Sequence, residues 1–104
     1  MSSEQQGIVT MYTKTTCPHC AKAKELLEET HGLTVTLVDI ESEDQEQILQ
    51  QMRQFSGGRN TVPQVFFNEN HLGGNDDVQQ LQTDGKLAEK VEMVKNTPVT
   101  MMQE

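Results

Sequence analysis

Apolar residues recur along the chain with two different periods, and the change from one to the other outlines its elements. Ile8-Val9-Thr10-Met11-Tyr12-Thr13 is rich in β-branched and aromatic side chains, which predicts a strand. Lys14-Thr15-Thr16 turns the chain. Pro18 then suits a first helical position, where its fixed φ is already helical and its missing N–H is not needed. Ala21, Ala23, Leu26 and Leu27 give that helix an apolar side, and Gly32 after His31 is a natural stop. Leu33, Val35 and Leu37 alternate with Thr34 and Thr36, so 33–38 reads as a second strand with one apolar face. A strand, a helix and a strand within about 30 residues make a βαβ unit, whose strands run parallel through a right-handed crossover.

The helical period returns where Ile48, Leu49, Met52 and Phe55 fall at i, i+1, i+4 and i+7. Glutamines crowd this stretch, yet the periodicity marks an amphipathic helix and not a low-complexity segment. Ser42 and Gln45 have the spacing of a capping box, and Glu43, Asp44 and Glu46 suit the positive end of a helix dipole. Beyond Gly57-Gly58, the runs Pro63–Phe67 and His71-Leu72 flank Asn68-Glu69-Asn70 and predict a hairpin that Gly73-Gly74 ends. Asn75 is placed to cap a short helix carrying Val78 and Leu81. Leu87, Ala88, Val91 and Val94 define a last helix near 85–94. The order β-α-β-α-β-β-α-α predicts an α/β fold, a three-layer α/β/α sandwich around a four-stranded mixed sheet. Residues 1–6 are expected to be a disordered N-terminus, 7–94 the domain, and 95–104 a flexible C-terminal tail.

Charge narrows the function. Sixteen acidic residues face eight basic ones for a net charge of −8, which leaves no basic face for nucleic acid or an anionic membrane. The acidic surplus reads as a solvated surface. Mean hydropathy is −0.63, and no apolar run approaches the about 18 residues of a membrane-spanning helix. The opening MSSEQQG has neither a basic flank nor an apolar stretch, so no secretory signal is expected and the cytoplasm is the expected location.

The candidate chemistry lies in the two cysteines, Cys17 and Cys20, separated only by Pro18 and His19. Such a pair serves either as a redox dithiol or as half of a metal site. A structural zinc site needs four ligands, and neither a second CxxC nor a paired-histidine spacing exists to complete one, so no metal is expected. Placement favours redox chemistry. Cys17 falls at the predicted N-cap, just past the carboxyl end of a strand, where unpaired helix amides and the dipole favour the nucleophilic thiolate. Lys14 adds a nearby cation. His19 is expected to stabilise the thiolate further when protonated, which would make the disulfide a stronger oxidant. Cys20, a turn further in, is expected to be more buried and to act as the resolving thiol.

Thr15-Thr16-Cys17-Pro18-His19-Cys20 after a strand, Thr61-Val62-Pro63 farther on, and Gly73-Gly74-Asn75-Asp76-Asp77 together resemble the dithiol class of glutaredoxins, from about Gly7 to Val94. The resemblance implies a thioredoxin-like fold and reduction of protein–glutathione mixed disulfides and protein disulfides. Glutathione would be the co-substrate, with no bound cofactor. It also implies a cis bond between Val62 and Pro63, with Thr61 and Val62 beside Cys17 and the Val62 backbone pairing with glutathione like an added strand. Lys14 would meet the glycine-end carboxylate, and His19 would lie against the ligand. Gly74, Asn75 and Asp76 would cradle the γ-glutamyl end, amides on its carboxylate and the Asp76 side chain on its ammonium. Gln50 lies near a further polar contact. The implied partners are glutathione and glutathionylated or disulfide-containing proteins, met by a monomer. One alternative is a [2Fe–2S] module ligated by Cys17 and glutathione between two subunits, which Pro18 disfavours. The chain departs from the family pattern in two places. His19 stands where many dithiol members have Tyr. Asn60 precedes Thr61 where they have a cation, with Arg59 one position earlier.

Overall fold

In the computed structural model, which describes residues 6–97, β1 (Val9–Thr13) is an inner strand of the sheet. On one side it runs parallel to β2 (Val35–Asp39), Val9 opposite Val35 and Thr13 opposite Asp39. On the other it runs antiparallel to β3 (Gln64–Phe67), Val9 opposite Phe67. β3 turns through Asn68, at φ 55°, into β4 (Asn70–Gly73). The order β2-β1-β3-β4 is the four-stranded mixed sheet that the element order predicts.

Alternation along the strands sends side chains to two separate cores. Val9, Met11, Val35, Val65 and Phe67 meet α1 (Pro18–Glu25), α3 (Asn75–Thr83) and α4 (Leu87–Asn96) through Cys20, Ala23, Val78, Leu87, Val91 and Val94. Tyr12 and Phe66 point the other way, to Ile40 and to Met52 of α2 (Gln45–Phe55). Their rings meet edge to face at 5.7 Å. Helices on both faces make the three layers. α1 widens after Glu25 into a π-helical turn, Leu26–Thr30, that carries Leu27 into the larger core and ends at Gly32. Among the described residues no helix is long and apolar enough to cross a membrane.

Several local expectations need correction. Leu37 shares a face with Val35 but is 47% exposed, because β2 is an edge strand and the helical layer stops short of it. Phe55, in the last turn of α2, is 55% exposed. Ser42 and Gln45 form no capping box: the helix begins at Gln45 itself with Asp44 as N-cap, so Gln45 cannot occupy the third helical position. Ala88 lies on the exposed side of α4. That helix runs on through Lys95 and Asn96, two residues past its expected end, and Gln6 N–H bonds the Lys95 carbonyl at 3.0 Å. The rest of the expected N-terminal and C-terminal tails, 1–5 and 98–104, lies outside the described residues.

Candidate active site

Cys17 leaves the turn after β1 with extended backbone and becomes the N-cap of α1. Its sulfur takes the place of the usual capping oxygen and accepts the Cys20 N–H at 3.3 Å. The donor is the third helical residue, one of the two that a capping side chain ordinarily serves. Cys17 is partly exposed; Cys20, one turn on, is only 3% exposed. Burial pushes the Cys20 thiol up, and the neighbouring Cys17 sulfur adds to the effect. The pair thus divides into a reachable sulfur at a helix amino end and a shielded one beneath it.

A second wall faces Cys17 from the other half of the sheet. The Val62–Pro63 bond is cis, and the Val62 carbonyl lies 3.9 Å from the Cys17 sulfur. Pro63 leads into β3, and the Gly73-Gly74 pair that ends β4 lies against it. A Cβ on Gly74 would come within 3.2 Å of the Pro63 carbonyl, so glycine permits this approach. Asn75 is not the cap expected of it. Gly74 is the N-cap of α3, and the Asp77 carboxylate reaches back to the Gly74 N–H at 2.9 Å. The first amides of α3 therefore have no acceptor within the helix.

Arg59 Nη1 donates to the same Asp77 oxygen at 3.1 Å. Arg53 on α2 engages Asn60, and it is Arg59 that reaches the groove. The Gly74 amide, with help from Arg59 and against partial burial, holds the Asp77 carboxyl below its ordinary range. Its contribution to stability is therefore complete above about pH 4 and is lost as the pH falls through the lowered native value. Asp77→Ala is expected to cost about 0.5–1 kcal/mol, kept small by solvent screening, and to flatten that acid-side loss in urea unfolding followed from pH 6 to 2.5.

The groove between the two walls is lined by His19, Thr61, Val62, Pro63, Gly74, Asn75 and Asp76, together with Arg59 and Asp77. A family model described as glutaredoxin matches residues 9–72. The chain belongs to the glutaredoxin family. A glutaredoxin of Neisseria meningitidis serogroup B is 44% identical over 80 residues, covering 76% of this chain and 89% of that protein. The holo form of glutaredoxin C1 from Populus tremula x tremuloides superposes with a TM-score of 0.80 at 27% identity, over 95% of this chain and 87% of that one. A buckwheat glutaredoxin in complex with glutathione gives 0.76 at 27% identity, over 86% and 81%. As a glutaredoxin with its two cysteines in CxxC spacing, the chain is a glutathione-dependent thiol–disulfide oxidoreductase.

Of the residues expected to bind glutathione in this glutaredoxin, seven share the groove and Lys14 does not. Lys14 lines a depression on the β2 side that it shares with Cys17 and Cys20, along with Thr13, Lys24 and Leu37. Gln50 is exposed on α2. His19 is exposed and faces the groove; among the described residues its ring has no hydrogen-bond partner, Cys17 included. Sequence reasoning missed Asp77 as the link between Gly74 and Arg59, because with Asn75 as the cap it falls at the second helical position, and only with Gly74 as the cap does it reach the third.

Proposed function

We propose that this glutaredoxin reduces protein–glutathione mixed disulfides, and some protein disulfides, with Cys17 as nucleophile and Cys20 as resolving thiol. The reading rests on one arrangement: an accessible sulfur capping α1 and facing the Val62 carbonyl at the mouth of the groove. The Cys17 thiolate attacks the glutathione sulfur of the mixed disulfide. The old S–S bond breaks, its electron pair and a proton leave with the client thiol, and Cys17 is left glutathionylated. A second glutathione thiolate attacks that bond, restoring Cys17 and releasing oxidised glutathione. On a protein disulfide Cys17 joins the client instead, and Cys20 expels the client by closing the Cys17–Cys20 bond.

The groove chemistry fits such a ligand. The Val62 backbone is placed to pair with an extended peptide, the opening amides of α3 suit a carboxylate, and exposed Asp76 suits an ammonium. Arg59 supplies a cation on the Gly74 side, and Lys14 supplies one on the β2 side, where it lines the same depression as Cys17. In this reading the enzyme is a cytoplasmic monomer that carries no resident cofactor and relies on a reducing glutathione pool. The test compares one peptide as its mixed disulfide with glutathione or with β-mercaptoethanol. The glutathione form is expected to be favoured at least about tenfold in kcat/KM, and equal rates would remove the case for the groove.

Burial, the largest cause of the raised Cys20 thiol, persists when Cys17 is tied up in a mixed disulfide, and it sets a further expectation. Closure of the Cys17–Cys20 bond should still accelerate as the pH rises past the ordinary thiol range of about 8.5, because the thiolate is the attacking form. Stopped-flow release of a client thiol from a trapped Cys17 mixed disulfide, from pH 6 to 10, measures this. A rate that levels off below that range would contradict the assignment of Cys20.

A further inference from the structure

Gln64 is fully buried, and Ser56 is the only other buried polar residue among those described. A leucine would fill the same space without taking an amide out of water. What leucine could not do is join three segments. Gln64 Nε2 donates to the Thr61 carbonyl at 2.9 Å and lies 3.4 Å from the Thr61 hydroxyl. A carbonyl only accepts, so the NH2 end of Gln64 must face Thr61 and its oxygen must face β4. There Gln64 Oε1 lies 2.6 Å from His71 Nε2, which therefore carries a proton and donates it. The imidazole leans on Phe66, ring centroids 4.9 Å apart, which fixes its plane. Burial, followed by the Arg59 charge, pulls the His71 pKa down and so favours a neutral ring, whose single hydrogen the Gln64 oxygen holds on Nε2. The relay runs from β4 through the start of β3 to the residue before Val62, whose carbonyl faces the Cys17 sulfur.

We propose that Gln64 and His71 are positioning residues for the glutathione groove: they hold the Thr61 carbonyl, and with it the Thr61-Val62 backbone, in the orientation that a bound glutathione backbone pairs with. The proposal rests on the functional reading above and adds residues that touch neither the ligand nor the reacting sulfurs.

Two variants test it from opposite ends of the relay. His71→Phe keeps a ring on Phe66 and removes the donor; Gln64→Leu removes both links. Each is expected to raise KM for a glutathionylated peptide about tenfold while kcat stays within about twofold, because a groove wall is misplaced and the sulfur chemistry is not. His71→Gln, which offers an N–H at similar reach, should recover most of the loss. Alkylation of Cys17 by iodoacetamide does not use the groove, and its rate should stay within about twofold in every variant. An unchanged KM in His71→Phe overturns the proposal. So does a parallel fall of kcat and alkylation rate, which is the mark of general loosening, or a failure of His71→Gln to do better than His71→Phe. If Gln64→Leu does not fold, the two His71 variants decide. Wild-type enzyme that shows no preference for glutathione over β-mercaptoethanol mixed disulfides removes the functional reading, and the proposal falls with it. A preference kept in full by His71→Phe removes the positioning role alone.

Discussion

A Cys17→Ser variant is expected to lose at least about a thousandfold in kcat/KM on a glutathionylated peptide, whereas Cys20→Ser keeps about a third or more of the wild-type rate. The contrast follows from where the two sulfurs sit. Serine is a good N-cap, so Cys17→Ser can keep the bond from the Cys20 N–H and the helix start. What it removes is an ionisable, polarisable nucleophile, since a hydroxyl stays protonated near neutrality. A circular dichroism spectrum like that of the wild type, paired with absent turnover, isolates the chemistry from the fold. Cys20 is bypassed when a second glutathione regenerates Cys17, so its loss should spare deglutathionylation. Reduction of a protein disulfide has no such bypass and should fall steeply in Cys20→Ser. Turnover retained without Cys17, or equal damage from both substitutions on the glutathionylated peptide, contradicts the mechanism.

The second large effect concerns a residue with no functional group. Gly73 is buried at φ 120°, a conformation that L side chains rarely adopt. A Cβ there would also collide with Asp77, lying 2.7 Å from its Cβ and Cγ and closer still to its Oδ2. Gly73→Ala must therefore strain the end of β4 and drive the Asp77 carboxylate away from the Gly74 N–H and Arg59. The expected cost is about 2–4 kcal/mol in urea unfolding, together with a rise of about fivefold or more in KM for the glutathionylated peptide. Gly85 provides the comparison. It too has a positive φ, of 75°, but a Cβ there meets nothing within 4 Å. Gly85→Ala should cost only about 1 kcal/mol and leave KM unchanged. Equal behaviour of the two variants would show that the Asp77 collision is relieved without consequence.

The cysteine side of the site was legible in the sequence because it is local. A β-branched strand, a short turn, a helix-starting proline and two thiols one turn apart occupy neighbouring positions, and each has its own physical signature. Thr61, Val62, Pro63 and the Gly74–Asp76 amides were placed by the resemblance, and the structure brings them together in one groove. Lys14 and Arg59 were harder to read. Which cation faces the groove depends on the side of Cys17 where each emerges, and on Arg53 engaging Asn60, a contact between separate segments. Leu37 and Phe55 illustrate the same limit. Periodicity identifies the apolar side of an element but not how far its neighbour extends to cover it. The strand pattern of Pro63–Phe67 gives Gln64 no role of its own, and only the pairing of β3 with β4 shows what its amide joins.

The sheet is unequally clad. Among the described residues, thirteen buried ones form the core under α1, α3 and α4, and four form the one under α2, with Val62 touching both. The thin side has the least to lose on local opening, so it loosens at lower cost than the helix carrying the dithiol. Phe66, the rest for the His71 ring, belongs to that side, and Val62 spans the divide. Gentle warming should therefore erode the grip on the tripeptide before it dulls the attacking atom.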